Sequence, residues 1–267
     1  MKNKFLLLLL MTPSLYGATK LIVLGSGTPN PDPNRAGSGY AVVVNETPYL
    51  IDFGPGIIRR AASMSPPWGG KIEAMTVKNF EHAFLTHIHS DHSAGLADLL
   101  LTPWIMGRDK KLNLFGPKGL EQMASSTLEA FEDDINYRIY GTQPSNKIGY
   151  KYNFHLLAEG LIYEDENVSV EAFTVPHGSF DDAYGFRFTT KDKVIVFSGD
   201  TGPSKKLEKL AAGADILVHE VYSNAGFLKK TKDWQVYHQG HHTSCLLYTS
   251  DAADDTPCVD LGGRRII

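Results

Sequence analysis

Three imidazoles and a carboxylate crowd into the six positions His87-Ile88-His89-Ser90-Asp91-His92. Burying these groups together is costly unless a metal holds them. His87 and His89 stand two apart, so at a strand end they point the same way and can share one ion. Asp91 and His92 follow directly, and a turn here would face them toward a second ion beside the first. Ala83-Phe84-Leu85 is an apolar run of the buried-strand kind, and Ser93 to Leu101 begins like a helix. The ligands therefore belong on a strand-to-helix turn.

This HxHxDH run resembles the signature of the metallo-β-lactamase superfamily. The resemblance implies an α/β fold, the αββα sandwich, carrying a one- or two-metal hydrolytic site. It also implies a later lone His, an Asp after a strand and a final His, in that order. The chain supplies His177 in Thr-Val-Pro-His-Gly, then Asp200 in Ser-Gly-Asp-Thr, then His241-His242-Thr243-Ser244. His177 follows the strand-like Val168–Phe173, and Asp200 ends the apolar Val194–Phe197, where a bridging carboxylate belongs. His238, His241 and His242 compete for the last position; His242, before Thr243-Ser244, best resembles the family's final motif.

On this assignment one ion takes His87, His89, His177 and Asp200, and the other takes Asp91, His92, His242 and the shared Asp200. Zinc is the default for such an N/O set, and manganese or iron also fits. A hydroxide bridging the two ions is the implied nucleophile, and hydrolysis the implied reaction.

His219-Glu220 closes another apolar strand and resembles the His-Glu-Ala-Thr motif of the ribonuclease Z-like branch. There the resemblance implies that His219 donates a proton near the leaving group and Glu220 orients it. The openings Leu24-Gly25-Ser26-Gly27-Thr28-Pro29 and Ile51-Asp52-Phe53-Gly54 also resemble that branch, which carries the likeness from about Lys20 to Ser244.

The ends read differently. Met1-Lys2-Asn3-Lys4 and the apolar Phe5–Met11 form a basic n-region and a short h-region, so residues 1–18 are expected to be a secretory signal and the protein periplasmic or secreted. The run is too short for a stable membrane anchor. Residues 245–267 resemble translated sequencing adapter, which leaves 19–244 as the hydrolase domain. Net charge is −4, and both ends together hold equal numbers of each sign. The two cysteines, Cys245 and Cys258, both lie in that tail, so no disulfide is implied.

Strands are expected at Lys20–Leu24, Tyr40–Val44, Pro48–Asp52, Leu112–Phe115, Val168–Phe173, Gly185–Thr189, Val194–Ser198 and Asp215–Glu220. Helices are expected over Pro117–Phe131 and Ser204–Ala212. Glu132–Gly160 reads as an aromatic, irregular stretch that either walls a substrate pocket or covers the sandwich. A net-acidic chain without a Lys/Arg-rich arm argues against nucleic acid as a partner. The expected substrate is then a small ester: a phosphodiester first, an aryl sulfate as the alternative. Non-catalytic ligand binding is a further reading, and a homodimer is implied by the resemblance alone.

Overall fold

The computed structural model describes residues 18–244, so the expected leader, but for Ala18, and the tail lie outside the described residues. Strands β1 (Lys20–Ser26), β2 (Ser38–Val44), β3 (Thr47–Ile51), β4 (His82–Phe84), β5 (Leu112–Gly116) and β6 (Tyr152–Leu156) form one sheet in that order. The second sheet holds β7 (Gly160–Glu164), β8 (Val168–Thr174), β9 (Tyr184–Thr190), β10 (Val194–Phe197) and β11 (Ile216–Val218), ordered from β11 back to β7. Helices are α1 (Ile57–Met64), α2 (Ser90–Ser93), α3 (Leu96–Ile105), α4 (Leu120–Ala130), α5 (Glu132–Tyr140), α6 (Lys205–Ala211), α7 (Asn224–Leu228) and α8 (Lys232–His241).

Period-two alternation buries both faces of each sheet, and that dictates four layers. Ala41, Val43, Leu50 and Ala83 join a core with Ile58 of α1, Leu99, Leu100 and Trp104 of α3, and Leu120 of α4. Their alternate neighbours Val42, Tyr49, Ile51 and Phe84 turn the other way, onto Phe186, Phe188, Ile195 and Phe197 of the second sheet. Phe84 stacks on Phe115 at 4.6 Å in this middle layer. Val196 points out of the sandwich to Phe173 and Leu207 of α6, whose N-terminus is capped by Ser204. The result is the expected αββα sandwich.

Strands β3 to β6 run parallel, as do β10 and β11, so their carboxyl ends present loops at common edges. The α3 helix that follows the histidine run is anchored by Arg108. Its buried guanidinium donates to the carbonyls of Gly149 (2.9 Å), Phe80 (3.0 Å), Leu99 (3.2 Å) and Leu100 (2.8 Å). Burial pushes its pKa down to about 10, which still leaves it charged at neutral pH. Arg108→Leu strands four carbonyls and should cost about 3–5 kcal/mol. A thermal melt should then fall by roughly ten degrees; an unshifted melt would show that Arg108 is not the anchor.

The stretch expected to be irregular instead folds into α5 and β6 and ends where β7 begins. Only Ile135 of α5 is buried and β6 is mostly exposed, so neither carries the strong apolar period that marks a core element. Tyr150, Tyr152 and Phe154 pack on the helical core, while Tyr137 and Tyr140 are exposed. Trp104 is core and Trp68 is a surface residue. Among the described residues no helix is long and apolar enough to cross a membrane.

Candidate metal centre

Five loops converge on one site. His87 to His92 follow β4, Asp52 follows β3, His177 follows β8, Asp200 follows β10, and His219 and Glu220 follow β11. The β3 elbow makes the convergence possible. Phe53 N donates to His92 O and Gly95 N to Phe53 O, clamping the elbow to the histidine loop. A Cβ on Gly54 would lie 2.0 Å from Asp91 O, so only glycine allows this approach. Asp52 itself holds φ 55°, a left-handed backbone that a short polar side chain tolerates best.

Asp52 is the organiser that the sequence motif does not reveal. Its Oδ1 accepts from Thr86 N (2.8 Å) and Thr86 Oγ1 (3.0 Å), and its Oδ2 accepts from His92 Nδ1 (2.7 Å). Thr86 Oγ1, its proton committed to Asp52, accepts from His87 Nδ1 at 3.0 Å. His177 Nδ1 donates to His241 O at 2.8 Å. His87 and His177 therefore turn an unprotonated Nε2 inward, and His92, held by Asp52, turns its Nε2 the same way.

Those lone pairs meet. His87 Nε2 lies 3.0 Å and His177 Nε2 3.1 Å from His89 Nδ1. A single Nδ1–H could satisfy one of them and would leave the other facing it bare. A cation satisfies all three, and a tetrahedral ion with bonds of about 2.05 Å spaces its ligand nitrogens about 3.3 Å apart. Burial lowers the pKa of all three imidazoles, that of His177 to about 4, which keeps them in the neutral, ligating form. The residues present fit a metal.

A second focus adjoins the first. His92 Nε2 lies 3.3 Å from Asp200 Oδ1 and 3.6 Å from Asp91 Oδ2. His87, His92 and Asp200 form a group able to hold an ion, and Asp200, Glu220 and His242 form another. Burial alone would depress His92, but Asp200 and Asp52 flank it and lift it well above its usual range. Burial would likewise raise Asp200, yet His92 and His87 hold it far below the carboxylate range. Burial raises Asp91.

The expected pairing of His219 with the Glu220 carboxylate gives way to a different one. Glu220 Oε1 accepts from His242 Nδ1 at 2.8 Å and from Thr201 N at 3.2 Å, while His219 Nδ1 donates to the Glu220 backbone oxygen at 2.6 Å. Burial and Asp200 push Glu220 up to about 7, and Glu220 and Asp200 together outweigh burial to raise His242. His219 is buried and its pKa lowered by that burial. Phe180, also absent from the sequence reading, sets its ring 4.4 Å from that of His89.

A layered αββα sandwich with a histidine and aspartate cluster at its strand ends defines a metal-dependent hydrolase of the metallo-β-lactamase fold. The chain belongs to this superfamily: the family described as "Beta-lactamase superfamily domain" matches residues 47–250. Within it the chain is ribonuclease Z-like. It is 33% identical over 210 residues to ribonuclease Z of Mycobacterium bovis (strain BCG / Pasteur 1173P2), covering 76% of this chain and 70% of the relative. Human tRNase Z, short form, superposes with a TM-score of 0.65 at 22% identity, covering 85% of each chain. A diphosphatase from the PhnP family gives 0.56 at 19% identity, over 85% of this chain and 79% of the other.

The expectation that nucleic acid is not a partner is corrected by the mycobacterial relative, a ribonuclease by name. Net charge misled because it sums the whole surface. Phosphate recognition can instead rest on a local metal centre, which a count of Lys and Arg does not register.

Proposed function

We propose that this protein hydrolyses phosphodiester bonds in RNA or a ribonucleotide, using two divalent cations, with zinc as the first choice. The observation that carries the reading is the pair of adjoining foci, three inward imidazole nitrogens beside His92, Asp91 and Asp200, at the strand ends of a ribonuclease Z-like chain. His87, His89 and His177 would hold one ion and Asp91 and His92 the other, with Asp200 between. When bound, the ions supply Lewis-acid activation of water and neutralise charge on the scissile phosphate.

The chain's own groups do the rest. Asp52 keeps His92 and, through Thr86, His87 in the tautomers that face inward. Glu220 keeps a proton on His242 Nδ1 and its charge favours the imidazolium, so His242 is placed to protonate the departing oxygen as the P–O bond breaks. This gives His242, expected as a ligand of the second ion, the donor role that the family motif suggests for His219. His242→Gln should keep both ions and slow RNA cleavage about a hundredfold, with a smaller loss on p-nitrophenyl esters, whose leaving group needs no proton. Loss of one ion in that variant would instead make His242 a ligand.

The function itself is tested by incubating metal-loaded protein with a fluorophore-labelled RNA oligonucleotide, bis(p-nitrophenyl) phosphate and p-nitrophenyl sulfate. Cleavage of the two phosphodiesters is expected. Turnover of the sulfate alone would replace this reading with an arylsulfatase.

A further inference from the structure

The floor and the rim of the metal centre differ in size. The floor, among Tyr40, Asp52, His92, Asp200 and Glu220, is a cavity of about 30 Å³, room for about one water. At the rim a hollow of about 280 Å³ opens beside the histidine triad. Three loops build it: Ile88 from between the paired histidines, Pro117 and Lys118 after β5, and Phe180, Asp181 and Asp182 after β8. Phe180 links the hollow to the histidine triad, its ring 4.4 Å from that of His89 and 5.8 Å from that of His177. An occupant of the hollow that rests on Phe180 is separated from the triad by that one ring.

Size and chemistry narrow the occupant. A volume near 280 Å³ lies at the small end of ligand sites, enough for one nucleoside and too little for several. Phe180, Ile88 and Pro117 offer apolar contact, with one flat aromatic face among them. Asp181 and Asp182 outnumber Lys118, which disfavours a phosphate inside the hollow. A nucleobase suits all of this: its π-face stacks on an aromatic ring and its exocyclic amine donates to a carboxylate.

Building on the phosphodiesterase reading, we propose that this hollow binds the nucleoside adjoining the scissile phosphate, with the base stacked on Phe180 and its amino edge toward Asp181 and Asp182. Amino-bearing bases are preferred over uracil for the same reason.

Calorimetry on the metal-loaded protein tests this with adenosine 5′-monophosphate against ribose 5-phosphate, which shares the phosphate and lacks the base. Wild type should bind the nucleotide more tightly, Phe180→Ala should shrink that advantage about tenfold or more, and Phe180→Tyr should retain it. Equal binding of the two ligands, or an advantage untouched by Phe180→Ala, overturns the proposal. A parallel turnover ratio separates it from the reading beneath it, using adenosine 3′-(p-nitrophenyl phosphate) against methyl p-nitrophenyl phosphate. Cleavage of both without base preference discards the hollow and keeps the phosphodiesterase. Base-selective, Phe180-dependent binding without cleavage of either keeps the nucleoside site and discards the phosphodiesterase.

Discussion

Asp200→Ala is expected to reduce hydrolysis about a thousandfold or more and to lower bound metal below two ions per chain. Asp200 forms a ligand group with His87 of the first focus and His92 of the second. Its Oδ1 lies 3.3 Å from His92 Nε2, and its Oδ2 lies 3.8 Å from His242 Nδ1. Removing it takes away the one carboxylate able to join the two foci. Elemental analysis beside the initial rate reads both effects, and a variant with full metal and wild-type turnover would end the two-metal reading.

Asp52→Ala should be the most damaging change to stability near the site. The carboxylate is 1% exposed and accepts from Thr86 N, Thr86 Oγ1 and His92 Nδ1, so its loss leaves buried donors unpaired and removes one of the two carboxylates that flank His92. Breaking one side of such a buried pair costs about 3–5 kcal/mol, and alanine also fits the left-handed φ of 55° poorly. Asp52→Asn keeps the shape, tolerates the backbone and retains one acceptor oxygen, so it should cost less than half as much. Both variants should bind metal about 10- to 100-fold more weakly, because His92 loses the partner that sets its tautomer. Melting curves and metal titrations with both variants check the order; equal, wild-type-like behaviour would remove Asp52 from its organising role.

Much of this was legible because it is local. The run from His87 to His92 follows a strand three residues long and precedes a helix, so the spacing of its side chains follows from backbone geometry alone. The helix beginning at Ser204 and the β2, β3 and β10 strands are readable for the same reason. His177 and Asp200 were found by their order in the family pattern, and the structure brings them to the same place. α5, β6 and β7 were missed because an exposed helix and an edge strand carry weak apolar periodicity. A nucleic-acid partner is not legible in the composition, because overall charge is a sum that says nothing of where a phosphate binds.

By itself, then, the sequence supplied the inventory of metal-binding side chains, and the αββα layering only through the resemblance that the HxHxDH run carries. Only the tertiary structure decided which atoms face one another. His219 and Glu220 are neighbours in the chain at a strand end, where successive side chains point to opposite sides. Glu220 therefore reaches His242, 22 residues away, instead of the histidine beside it. Asp52 likewise finds His92 across 40 residues, a contact made by the elbow and Gly54 and one that no local pattern encodes.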